Sequence, residues 1–235
     1  RPPPESFLAG ARGEEGAGAG RLKIFLGASP GVGKTFAMIE EARVRQRAGR
    51  DVVVALVETH GRAETAALLD TLEQLPRRQV DYRGQVLSEL DVDALLARRP
   101  AIALIDELAH TNAPGSRHPK RWQDVVEVLD AGIDVVTTLN IQHVESLNDV
   151  VARITGVRVQ ETVPDQILQR ADQIELIDLP PEELIKRLED GKVYVPQQIG
   201  RALDNFFGKG KLNNLPSEAQ DIRFFWKMFT TAIFK

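Results

Sequence analysis

The sequence predicts an α/β protein, a mostly parallel β-sheet covered by helices on both faces. Three observations predict it. Short apolar, β-branched runs alternate with helical stretches over roughly 180 residues. Several runs carry no polar alternation, the mark of strands buried on both sides. The first run enters a glycine-rich turn that opens a helix.

Each element has its own local signal. Residues 1–20 hold three prolines and five glycines and offer little apolar surface, so a flexible leader is expected there, with Phe7 and Leu8 as its docking points. The body, residues 21–212, opens with a strand at 22–26 and a helix at 35–48 that Gly49 stops. A strand is predicted at 51–58. A helix comes next at 63–75, where Leu68, Leu69, Leu72 and Leu75 recur at helical spacing before Pro76. A short helix at 91–99 ends at Pro100, and the buried strand 101–105 runs into Asp106 and Glu107. A polar loop at 109–119 leads to a helix at 122–131, ended by Gly132, and a strand at 133–139. A helix from 143 to about 154, short strands at 157–159 and 173–178, and helices at 181–189 and 197–207 complete the body. Residues 213–235 form an aromatic-rich tail of unknown placement: five of the eleven Phe and Trp residues fall between Phe224 and Phe234. Docking on the body, on a partner chain or beside a membrane would each suit it.

Composition narrows the function. Apolar residues are 43% and charged residues 27%, as in ordinary globular proteins. A net charge of −4 argues against a broad nucleic-acid-binding face, and no nucleic-acid partner is expected. Without cysteine there is no disulfide scaffold, thiol catalysis or cysteine-held metal, and the four histidines show no ligand spacing. No apolar run reaches the eighteen or so residues of a membrane span, and no signal-type run comes after the start. The first residue is not Met, which leaves open whether the chain is a piece of something longer.

The strongest local signal is Gly27-Ala28-Ser29-Pro30-Gly31-Val32-Gly33-Lys34-Thr35, set between strand and helix. Gly31 and Gly33 let successive N–H groups turn inward as an anion nest, with Pro30 and Val32 completing the cradle. Lys34 is placed to reach the β- and γ-phosphates, Thr35 to put its hydroxyl on Mg²⁺, and the helix adds its positive end. Ala28 stands where the strict motif has glycine, so the first turn must suit a side chain. A P-loop NTPase-like form of the α/β sheet is thereby predicted, with ATP and Mg²⁺ as cofactors.

Asp106 and Glu107 supply the acidic half. Asp106 is expected to accept from Mg²⁺-bound water or from Thr35, and Glu107 to orient or deprotonate an attacking water. Glu107 and Lys34 are thus the candidate catalytic residues. Glu58 ends a strand and suits either a water-orienting switch or a helix cap. Arg62 suits either phosphate or solvent. Arg117 lies in a basic loop with Lys120 and Arg121, where it either stabilises γ-phosphate charge, in cis or across a dimer, or belongs to a solvated face. Thr138, Asn140 and Gln142 close another strand, where they sense the γ-phosphate or serve as strand and cap residues. Asn140 is included in the candidate nucleotide site.

Longer phrases are more specific. The segments 27–35, 57–62, 106–124 and 138–149, continued through 170–172, 178–182, 191–194 and 205–207, resemble the N-terminal domain of the KdpD family of bacterial sensor histidine kinases. The resemblance covers about residues 21–212. It implies an ATP-binding regulatory input domain, the cytoplasmic portion of an inner-membrane sensor of potassium limitation and osmotic stress. In that family the rest of the sensor passes the signal to the response regulator KdpE. No histidine-phosphotransfer box or kinase-type ATP domain is recognisable here, so the chain is expected to be at most a weak ATPase, either an excised domain or a short family member. Two other readings remain open from the residues: a stand-alone P-loop ATPase or kinase on another substrate, and a protein-interaction module with a non-hydrolysing site. A homodimer is compatible with each.

Overall fold

The computed structural model describes residues 18–27, 30–149 and 159–177. The leader up to 17, Ala28 and Ser29, most of the strand expected at 157–159, the helices expected at 181–189 and 197–207, and the aromatic tail lie outside the described residues.

Strand β1, Leu22–Gly27, is buried along its whole length. Leu22, Ile24 and Leu26 pack into one apolar cluster and Phe25 into another, so alternate residues serve opposite faces. Helix α1, Lys34–Arg47, lies on the Phe25 side, where Met38, Ile39 and Ala42 are buried. Gly49, at φ 81°, comes after the helix in a left-handed conformation that stops it without strain. Strand β2, Val52–Leu56, is also buried throughout.

Helix α2, Ala63–Leu69, is shorter than the leucine spacing predicts. The chain leaves the helix at Asp70, and Leu72 is buried beyond it. Glu73–Gln74 then pairs alongside β2 as β3, and the N–H of Leu75 donates to the carbonyl of Val54 at 2.9 Å. Two leucines that fit a helical period are thus positioned by a strand-like run. Sequence reasoning assigned no element to 77–90. There the chain forms an antiparallel hairpin, β4 (Arg78–Tyr82) and β5 (Gln85–Glu89), turning at Arg83 and Gly84, both at positive φ. Helix α3, Val92–Arg98, is capped by the Asp91 carboxylate, which accepts from the N–H of Ala94 at 2.9 Å.

Strand β6, Ile102–Ile105, helix α4, Arg121–Asp130, and strand β7, Asp134–Asn140, come next. A single 3₁₀ turn, Ile141–His143, separates β7 from a helical stretch at 145–149, so the helix expected from 143 starts later. A short helix, Asp165–Gln169, leads to β8, Gln173–Ile177.

The six strands of the main sheet run parallel in the order β3-β2-β6-β7-β1-β8. Helices α1 and α2 contribute to the cluster on one face, and α3 and α4 to the cluster on the other, through Leu95, Val125, Val128 and Leu129. The α/β architecture with helices on both faces is therefore present. In such sheets the C-terminal strand ends form a crevice, and here those of β1, β2, β6 and β7 come together. No described helix is long and apolar enough to cross a membrane.

Candidate functional site

The glycine turn after β1 is packed tightly against the start of α1. A Cβ at Gly27 would stand 2.7 Å from Val32 and 2.8 Å from the Lys34 side chain. Gly31 and Gly33 hold φ of 86° and 104°, a region that disfavours L side chains, and Val32 is buried as the turn's apolar anchor. Gly33 caps α1, and its carbonyl accepts from the N–H of Ala37 at 2.9 Å. Lys34 is consequently buried at the helix start. Burial pulls its ammonium down to about 8, with the nearby Asp106 carboxylate opposing that shift.

β7 lies between β1 and β6, and its Thr138 is bonded to the end of β6. The Thr138 hydroxyl donates to Asp106 Oδ1. Thr35 Oγ1 donates to Asp106 Oδ2 at 3.2 Å, and the backbone N–H of Glu58 reaches the same oxygen at 3.4 Å. Asp106 is buried, and desolvation pushes its carboxyl above the usual range despite these donors. A buried carboxylate beside a threonine hydroxyl is a hard-oxygen set of the kind Mg²⁺ takes, usually with its waters kept.

Glu107 turns back from β6 with φ 57°, and its N–H donates to Thr138 Oγ1 at 3.2 Å. Its Oε1 lies 3.1 Å from His60 Nε2, and its Oε2 lies 3.9 Å from Arg121 Nη1. The His60 hydrogen bond holds the Glu107 carboxyl below its ordinary value, and Glu107 in turn raises the imidazole. Arg121 stands beneath this pair. It is buried, donates to the Asp106 carbonyl at 3.2 Å and pairs with Glu89 at 3.2 Å. Glu89, at the end of the hairpin, also accepts from the N–H of Ala113 at 2.8 Å.

These groups surround a cavity of about 160 Å³. Of the residues singled out in the sequence, Pro30, Gly31, Gly33, Lys34, Thr35, Arg62, Asp106, Glu107, Thr138 and Asn140 line it. Asn140 Oδ1 is buried there with no hydrogen-bond partner among the described residues. Glu58 and Arg117 are not part of the lining. The Glu58 carboxylate is held by Arg77 at 2.6 Å, and Arg117 bonds Glu127 and Asp93 on the α3–α4 side. Gln142 is likewise outside it. Residues the sequence reading passed over or set aside do line it: His60, His110 and His143. His143 Nδ1 lies 2.7 Å from the Glu161 carbonyl. Only the neighbouring of β2 and β6 brings His60 to Glu107, and no spacing within the chain signals it.

Comparison with known proteins places these features in a family context. A family model described as the KdpD osmosensitive K⁺ channel His kinase sensor domain matches residues 18–219. The sensor protein KdpD of Escherichia coli K12 is 59% identical over 193 residues, which cover 82% of this chain and 22% of that protein. Its counterpart in Mycobacterium tuberculosis H37Rv is 57% identical over 196 residues, 83% of this chain and 23% of the relative. That of Clostridium acetobutylicum is 52% identical over 199 residues, 85% and 22%. The chain thus spans under a quarter of the length of these relatives.

Proposed function

The chain belongs to the KdpD osmosensitive K⁺ channel His kinase sensor-domain family, and on that premise we propose that it is a nucleotide-responsive input module of P-loop type, binding ATP with Mg²⁺ and hydrolysing it slowly. One observation carries the reading. A buried lysine, a threonine hydroxyl and a buried aspartate meet at the mouth of a glycine turn, with Thr35 3.2 Å from Asp106.

The glycine turn and the start of α1 bind phosphate through N–H groups and the helix dipole. Lys34 sets a charge against the β- and γ-phosphates. Thr35 and, through water, Asp106 would hold Mg²⁺, which supplies charge neutralisation for the phosphates. Asn140 Oδ1, without a partner among the described residues, accepts from a water or hydroxyl entering the cavity. At about 160 Å³ the cavity suits a phosphate chain better than a whole nucleotide, since whole-ligand pockets run to roughly 300–1,000 Å³. Base and ribose therefore sit outside this lining. Glu107 accepts a proton from the water whose oxygen bonds to the terminal phosphorus while the bridging P–O bond breaks, giving ADP and phosphate. Glu58 is held by Arg77, and Arg117 by Glu127 and Asp93, so in this reading a switch role for Glu58 and γ-phosphate charge stabilisation by Arg117 both require those pairs to open.

In its parent context the module is cytoplasmic, and its occupancy biases the remaining domains of a KdpD-type sensor and, through them, the response regulator KdpE. The test is a calorimetric titration of ATP with Mg²⁺ into the wild type and Lys34→Ala, together with turnover of Glu107→Gln. Lys34→Ala should lose most of the affinity, and Glu107→Gln should bind but hydrolyse more slowly. Unchanged affinity in the first would overturn the binding site. Unchanged turnover in the second would remove Glu107 from the chemistry.

A further inference from the structure

His60 and Glu107 share an uncommon backbone state. Both hold positive φ, 50° and 57°, and neither is glycine. Few L residues accept this conformation, and where they do the surroundings must enforce it. Each comes just after a strand, β2 and β6, and those strands are neighbours with Val54 opposite Leu104. The two strained turns therefore emerge side by side at the C-terminal end of the sheet, and their side chains meet at a single contact, Nε2 to Oε1 at 3.1 Å.

Stability does not account for the contact. The two side chains are 50% and 40% exposed, and an exposed pair of this kind contributes little to folding. Neither side chain belongs to an apolar cluster. The contact instead fixes one carboxylate at the cavity wall. Oε1 is occupied by the imidazole, and Oε2 stands 3.9 Å from Arg121, beyond hydrogen-bond range. One oxygen is tied, and the other keeps acceptor capacity.

We propose that His60 is the positioning residue for Glu107: it ties Oε1 so that Oε2 is presented to the water consumed in hydrolysis. The proposal rests on the hydrolytic reading of the cavity and adds to it the group that orients the base. Nucleophile activation commonly uses such a third member, a base held by an orienting neighbour.

The experiment compares wild type, His60→Ala, His60→Gln and Glu107→Gln in the 235-residue chain. It reads kcat, KM, ATP affinity by calorimetry and the ¹⁵N resonances of the His60 ring in ligand-free protein. His60→Ala should lower kcat by roughly 10- to 100-fold, the cost of a slightly misplaced catalytic group, with affinity and KM little changed. His60→Gln, which keeps a side-chain donor, should recover part of the loss. Glu107→Gln should lower kcat and shift the His60 ring signals. Normal kcat in His60→Ala, or ring signals indifferent to Glu107→Gln, would overturn the positioning role while leaving the cavity's function standing. Equal turnover in wild type and Glu107→Gln, or none in wild type, would overturn both.

Discussion

Lys34 is held in a place that opposes its charge. Burial lowers its folded value from 10.5 to about 8, against the pull of Asp106. The unfolded chain keeps the proton up to its higher value. The favourable contribution is thus full above 10.5 and is lost as pH falls through 8. At neutral pH the buried ammonium costs roughly 3 kcal/mol, taking 1.36 kcal/mol per pKa unit. Lys34→Met should therefore raise the melting temperature of the ligand-free protein at pH 7 by several degrees and abolish tight ATP binding. A melt and a titration on the same sample check this, and a less stable variant would contradict it. Lys34 and Thr35 were legible in the sequence because strand, turn and helix fix their places locally, and Asp106 and Glu107 stood out as the acidic end of an apolar strand, although the meeting of Asp106 with Thr35 depends on the strand order. His60 was not, because its partner depends on which strands are neighbours. The Arg117 partners were hidden for the same reason, since Asp93 and Glu127 come from different helices.

Helix α4 joins the site to the rest of the sheet face. Its first residue, Arg121, supports Glu107, and its first turn also buries Asp124, which accepts from Asn112 Nδ2 at 2.6 Å. Burial raises Asp124 to about 6, with the Asn112 hydrogen bond opposing it. A raised folded value gives stability that is full below 3.8 and lost as pH rises through 6. Asp124→Asn should thus melt higher than wild type at pH 7.5, and the gap should shrink steadily toward pH 4. A gap independent of pH would show that the carboxylate does not titrate as described. The strands β2 and β6 were legible as unbroken apolar runs, β1 as a short apolar run into the glycine turn and β7 as a β-branched run that also carries threonines. The hairpin β4–β5 was not, because both its strands are largely exposed and carry no such signature. The end of α2 was not legible either, because Leu72 and Leu75 satisfy a helical period while serving a strand edge.

The whole molecule gives one reading of occupancy. A ligand that binds only the folded state adds about 2.7 kcal/mol at a concentration 100 times Kd. For a chain of this size that is roughly 5–10 °C in melting temperature. Mg-ATP should produce such a shift in the wild type and none in Lys34→Ala, and equal shifts in both would refute specific binding at this cavity. The parallel sheet was legible from its apolar strands, but the order β3-β2-β6-β7-β1-β8 was not, since the strands resemble one another too closely to rank. That order has a kinetic consequence. Among the described strands β1 is made first, yet its two partners come far later, with Leu22 opposite Val135 and Lys23 opposite Gln173. Contacts so distant in sequence form slowly. A chain emerging from the ribosome therefore carries an apolar strand and the lysine turn unpaired until β7 is made. Among the described strands, the wall that would meet nucleotide is begun with β1 and closed only with β7, and nascent chains halted before residue 134 would need a chaperone's cover and would hold no complete site.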